Sequence, residues 1–286
     1  MHPTRPGFDA SDRYLTLLAK ALTAYLYPES GRTALRVHAG RDWQSKWLRR
    51  VLRRKTKHPF EAYALTGFDE ERRTNGLDWP DFGYSMIGLK RMDNLRTAIR
   101  DIVERDLPGD LVETGVWRGG ALIMMAAALE AYGSAPRRIW GFDSFQGMPK
   151  PDFETYPKEE QLDLSGVRHL VASENDVAAN FARFDVPMAP VTLVPGWFRD
   201  TVPAAQVDQI ALLRLDGDHY ESTILVLDHL YDRVVPGGWV IVDDYFMWDA
   251  CRAAVQDFWA ARGLNPDLIQ IDQSAAYWIK PADNAA

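Results

Sequence analysis

The 286-residue sequence predicts an α/β protein: a Rossmann-like parallel sheet with helices on both faces, preceded by a helical and lid-like extension. Three observations lead there. From Asp110 onward, short β-rich apolar runs alternate with helical patterns, the signature of a parallel sheet covered on both sides. A Gly-rich turn follows the first of those runs. Acidic residues stand just past the ends of three others, at the sheet edge where such folds bind ligands.

Taken in order, Tyr14–Leu26 carries apolar residues at helical spacing (Leu15, Leu18, Leu22, Tyr25, Leu26) and stops before Pro28. Between Arg32 and Lys57 lie ten basic residues against one acid, interleaved with Trp43, Trp47, Leu48, Val51 and Leu52. That stretch predicts a basic amphipathic helix closed by Pro59. Phe60–Tyr84 is polar and punctuated by Gly and Pro, a connection expected to lie as a mobile loop over the rest. Met86–Glu104 is again helical in pattern. The strands expected after Asp110 are Leu111–Val112, Arg138–Phe142, Val191–Val194, Ile210–Leu215 and Trp239–Val242. Helices are expected at Ala121–Ala131, Asn175–Phe184 and Glu221–Tyr231. Leu268–Ile271 and Ala276–Ile279, split by a polar turn, predict a terminal hairpin.

Composition is that of a globular protein, 47% hydrophobic and 26% charged. No stretch reaches the ~20 uninterrupted apolar residues of a membrane helix, and Met1–Asp12 has no signal-peptide core. Cys251 is the single cysteine, so an intrachain disulfide is impossible and a cysteine-built metal site is not expected. A cytoplasmic protein is the expectation. The net charge of −7 divides into +9 over residues 32–57 and −16 elsewhere, and no aromatic stacking platform or nucleic-acid motif accompanies the basic stretch. Nucleic acid is therefore not an expected partner.

The turn after the first strand reads Glu113-Thr114-Gly115-Val116-Trp117-Arg118-Gly119-Gly120. Its glycines allow a tight turn and close approach to a ligand, but their spacing is not the G-x-G-x-x-G of dinucleotide enzymes. An acid before the glycines suits the cationic end of S-adenosylmethionine. The next strand ends in Asp143-Ser144, where an acid can accept both hydroxyls of a ribose. Trp197 is a candidate to flank the adenine. Met86, Glu113, Thr114, Gly115, Arg118, Gly119, Gly120, Asp143, Ser144 and Trp197 form the candidate cofactor-binding set.

The fourth strand delivers Asp216-Gly217-Asp218-His219 and the fifth Asp243-Asp244. Carboxylates gathered at one edge repel one another unless a cation or protons neutralise them, and an oxygen-rich site suits Mg²⁺. Such an ion lowers the pKa of a coordinated hydroxyl and places it in line with a sulfonium methyl. Asp216 can both ligate and accept the proton, and His219 is the other candidate base. The plainer alternative has Asp218, His219 and Asp244 capping helices or satisfying loop backbone.

Together these motifs, with Arg13–Tyr25, Met86-Ile-Gly-Leu-Lys-Arg-Met-Asp-Asn-Leu95, Asp143-Ser-Phe-Gln-Gly147 and Pro195-Gly-Trp-Phe-Arg-Asp-Thr201, resemble the macrocin O-methyltransferase family. That family methylates sugar hydroxyls of macrolide and aminocoumarin antibiotics. The resemblance implies a class I methyltransferase sheet of about seven strands, S-adenosylmethionine and Mg²⁺ as cofactors, a small-molecule glycoside acceptor and a homo-oligomer. It places the metal on Asp216, Asp243 and Asp244, with Asp216 also positioned as base. The chain then divides into an N-terminal extension, 1–84, and a methyltransferase domain, 85–286. Trp79, Phe82 and Tyr84 are expected to close over the acceptor. The basic segment departs from the family; it is read as a solvated face, with an acidic partner, an anionic acceptor or a membrane surface as alternatives. Rival functions are methylation of a phenolic or catechol-like hydroxyl, a silent methyltransferase-fold scaffold, and an NAD-dependent oxidoreductase.

Overall fold

A computed structural model describes residues 9–28, 32–34, 63–65, 68–78, 80, 82–159 and 163–281. Helix α1 (Ala10–Leu22) comes first, then an antiparallel pair, β1 (Arg32–Ala34) and β2 (Tyr63–Leu65), and a short helix α2 (Glu70–Thr74). Helix α3 (Leu89–Glu104), β3 (Asp110–Thr114), α4 (Gly120–Ala131) and β4 (Ile139–Asp143) follow. Next come α5 (Glu174–Arg183), β5 (Val191–Pro195), α6 (Phe198–Thr201), β6 (Ile210–Leu215) and α7 (Tyr220–Leu230). Strand β7 (Val234–Val242), α8 (Asp249–Arg262), β8 (Ile269–Gln270) and β9 (Ala276–Ile279) complete the chain.

The sheet runs β5-β4-β3-β6-β7-β9-β8. Its first five strands are parallel, while β9 lies antiparallel to both β7 and β8. One apolar layer packs α1, α3, α4 and α5 on one face through residues such as Leu15, Met92, Ile99, Met124 and Phe181. The other packs α7 and α8 on the opposite face through Val226, Leu230, Val255, Phe258 and Trp278. Burial on both faces explains why β6, Ile-Ala-Leu-Leu-Arg-Leu, shows no polar alternation. Helix α4 is apolar all round because α1 and α3 cover the side that the sheet does not.

Several boundaries differ from the sequence reading. Helix α1 ends at Leu22, not Leu26: Ala24 turns left-handed (φ 55°), and the Tyr25 amide donates back to the Lys20 carbonyl at 2.8 Å. The buried Arg73 guanidinium then donates to the Ala24 carbonyl at 2.7 Å, so α2 fixes that end. Helix α3 begins at Leu89, which leaves Met86 in a turn. The 60–84 connection is not a plain loop, because it contains β2 and α2. Arg32–Ala34 is a strand, so the expected basic helix does not begin there; residues 35–62 lie outside the described residues. The terminal hairpin forms as expected, and its second strand inserts between β7 and β8.

Candidate functional site

Strand order reverses at β3 and β6, whose C-terminal ends part to leave a crevice. A cleft of about 810 Å³ opens to solvent there. Of the residues singled out from sequence, Met86, Gly115, Asp143, Ser144, Trp197, Asp216 and His219 line it. Trp117, Met148, Phe198, Asp218 and Glu221 line it too.

The glycines of the turn make room for protein as much as for a ligand. Gly115 takes φ 98°, and a Cβ there would stand 1.8 Å from the Asp216 carbonyl oxygen. A Cβ on Gly120 would stand 2.4 Å from the Tyr84 carbonyl oxygen, which accepts from the Gly120 amide at 3.0 Å. Gly119 is the N-cap of α4. Arg118 lies outside the cleft and donates to the Gly83 carbonyl at 2.7 Å. Tyr84 packs edge-on against Phe184, ring centroids 4.8 Å apart. Residues 83–84 are thus pinned to the start of α4 and the end of α5, and Tyr84 does not line the cleft. Phe82 is exposed, and Trp79 lies outside the described residues.

Asp143, at the end of β4, accepts from the amides of Val116 (2.8 Å), Trp117 (3.0 Å) and Phe145 (2.7 Å). Burial raises its pKa, and these three bonds work against the rise. Ser144 Oγ donates to the Gly147 carbonyl and accepts from the Gln146 amide, shaping the next turn. Trp197 caps α6 at the end of β5. The turns after β3, β4 and β5 therefore converge on one cleft.

Behind it lies a network of buried charge. Glu113 and Thr114 are buried in β3 and do not reach the cleft. Glu113 accepts from Arg214 at 2.6 Å, and burial pushes its pKa up to about 8. Arg214, in mid-strand β6, also donates to Asp216 at 2.9 Å and to Asp243. Asp243 receives a second guanidinium from Arg91. Asp216, Asp218 and Asp244 are gathered so that one oxygen of each lies within 4.8 Å of the others. Burial and then repulsion from Asp243 raise Asp216 to about 7, against the pull of Arg214. Asp244 rises well above its usual range, through burial and then repulsion from Asp218 and Asp216. Its Oδ2 has no hydrogen-bond partner among the described residues. Asp218 takes φ 60° and accepts from the Trp248 indole at 3.0 Å.

His219 caps the start of α7, with Nδ1 4.0 Å from Glu159 Oε1 and Nε2 without a hydrogen-bond partner among the described residues. Glu159 accepts from the Tyr220 and Glu221 amides at 2.9 and 3.1 Å. The sequence reading missed Arg91, Arg214, Glu159 and Trp248. Arg214 left a signal as a charge inside an apolar strand, and Arg91 lay within the Met86–Leu95 motif without a role being read from it.

The sequence pattern of the macrocin O-methyltransferase family matches residues 11–280. The chain is 38% identical over 281 residues to the 8-demethyl-8-(2,3-dimethoxy-α-L-rhamnosyl)-tetracenomycin-C 4'-O-methyltransferase of Streptomyces olivaceus, covering 97% of this chain and 96% of that one. It is 44% identical over 212 residues to the demethyldecarbamoylnovobiocin O-methyltransferase of Streptomyces niveus, covering 74% and 81%. Among solved structures, the O-methyltransferase NovP superposes with a TM-score of 0.80 at 38% identity, over 95% of this chain and 99% of that one.

Proposed function

The chain belongs to the macrocin O-methyltransferase family and is an O-methyltransferase, and we propose that it moves a methyl group from S-adenosylmethionine to a sugar hydroxyl of a glycosylated natural product. The observation that carries this reading is one cleft lined both by Asp143 and by Asp216 and Asp218 of the acidic cluster. A nucleoside held at Asp143 and a hydroxyl held at the cluster meet between β3 and β6. The tetracenomycin relative, whose name specifies a rhamnosyl substrate, supports the sugar as the methylated part.

The donor set fits a divalent cation. Three carboxylates converge, burial and mutual repulsion hold them toward protonation, and Asp244 keeps a buried oxygen without a partner. Mg²⁺ there would supply the charge that acidifies an acceptor hydroxyl. Asp216 and Asp244 would hold it. Sequence points to Asp243 as the third carboxylate; the gathering of the cluster points to Asp218. Mn²⁺ affinities of Asp218→Asn and Asp243→Asn decide between them.

The chain's own residues orient the reactants. Asp143 accepts ribose hydroxyls with the oxygen capacity that its three backbone bonds leave. Trp197 and Phe198 wall the cleft beside it. Asp216 takes the acceptor proton, with His219 as the rival base. The test is incubation with S-adenosylmethionine and either a glycoside or its sugar-free aglycone. The expected result is one added methyl on the sugar fragment by tandem mass spectrometry. Methylation of the aglycone alone would overturn the sugar assignment and favour a phenolic acceptor.

A further inference from the structure

Arg91 lies in the Met86–Leu95 motif, yet neither the cleft nor the proposed chemistry uses it. The residue is 7% exposed, and its guanidinium meets three separate segments. Nη1 donates to Asp243 at the end of β7. Nε donates to Asp272 Oδ2 at 2.9 Å. The other oxygen of Asp272 accepts from the Ser274 and Ala275 amides at 2.8 Å each, fixing the turn between β8 and β9. Nη2 reaches the Asn75 and Gly76 carbonyls at 3.2 and 3.3 Å. The fit around that turn is tight: a Cβ on Gly76 would stand 2.3 Å from Arg91 Nη2.

From Arg91 the chain of charge continues inward. Asp243 accepts from Arg214 as well, and Arg214 reaches Asp216. A buried path of alternating sign therefore joins the turn after α2 to the acidic cluster. Two guanidiniums occupy Asp243, and both are cations standing beside carboxylates read above as a cation site. A lysine could not replace Arg91 in this role, since only a planar fork reaches two carboxylates and two carbonyls at once.

We infer that Arg91 is a positioning residue that holds Asp243 on the edge of the acidic cluster and ties the 75–76 turn to it. Docking of that N-terminal turn and occupancy of the cluster by a divalent cation are then linked. A cation at the cluster stands beside Asp243 and repels the guanidinium that Asp243 holds, so it loosens the turn. By reciprocity, loss of Arg91's charge favours the cation. The cation half rests on the proposed metal site; the positioning half does not.

The test uses the full chain as wild type, Arg91→Met and Arg91→Lys. Hydrogen exchange at residues 75–78 is measured with and without Mn²⁺, and Mn²⁺ affinity is read by electron paramagnetic resonance. Without cation, both variants should lose protection at 75–78, because both lose the fork. Arg91→Met should bind Mn²⁺ more tightly, by on the order of tenfold, the order of the effect that one neighbouring charge has on the equilibria of a buried ionic site. Arg91→Lys should bind it much as wild type does, because the charge remains. Mn²⁺ should lower protection at 75–78 in wild type only. Wild-type protection at 75–78 in Arg91→Lys would overturn the positioning role. Equal or weaker Mn²⁺ binding by Arg91→Met would overturn the linkage. Should Mn²⁺ bind none of the proteins, the metal reading and the linkage fail together, and protection in the cation-free variants still decides the positioning role.

Discussion

The Asp143 carboxylate accepts three backbone amides, from both turns that it joins. Part of its hydrogen-bonding capacity thus holds the walls of the cleft, and the remainder is available to a ribose. Substitution by Asn keeps the shape and removes the charge, at the cost of setting its NH2 against at least the Phe145 amide; Ala would leave all three amides without their acceptor. Charge-assisted bonds contribute about 1.5–3 kcal/mol each. Asp143→Asn should therefore weaken S-adenosylhomocysteine binding roughly tenfold or more, with a smaller loss of melting temperature than Asp143→Ala. Titration calorimetry giving wild-type affinity would remove Asp143 from the nucleoside site. At this scale the strand-end acids were legible because their position after an apolar run fixes where they emerge. Arg91 was not: its partners Asp243 and Asp272 lie 152 and 181 residues away in sequence, and only the folded sheet brings them together. Glu113, adjacent to the glycines in sequence, is buried against Arg214 and does not line the cleft.

Parallel strands were read well from their apolar runs, and the helices between them followed from periodicity. The start of β7 was missed because Pro236-Gly237-Gly238 looks like a turn. The structure carries the strand through it, with a register shift against β6 between Ile210 and Leu212. The close approach of β3 and β6 was equally hidden, since the glycines seemed to serve only a ligand. Gly115 shows the consequence. An alanine there meets both a left-handed backbone (φ 98°) and the Asp216 carbonyl 1.8 Å from its Cβ. Gly133, at φ 68°, has nothing within 4 Å of its Cβ and isolates the backbone cost. Strain at such sites is about 1–3 kcal/mol. Gly115→Ala should lower the urea midpoint clearly more than Gly133→Ala does. Equal midpoints would mean that β3 and β6 have slack at this point.

At the scale of the whole molecule, five parallel strands release their C-terminal ends along one edge. That topology brings Gly115, Asp143, Trp197 and Asp216 from four separate strands to one cleft. The helical extension is not a detached cap: Leu15, Leu18 and Leu22 of α1 share the core of α3 and α4. Among the described residues, no helix is long and apolar enough to cross a membrane. Residues 35–57 of the basic stretch lie outside the described residues. The proposed use of a divalent cation by the acidic cluster, to ready an acceptor hydroxyl beside a separately bound cofactor, is read by measuring methyl transfer to a glycoside acceptor after exhaustive EDTA treatment, before and after Mg²⁺ is added back, while S-adenosylhomocysteine binding is followed in the same samples. Chelation should abolish transfer and Mg²⁺ should restore it, with S-adenosylhomocysteine affinity unchanged throughout; full activity of the metal-free enzyme would rule the cation out.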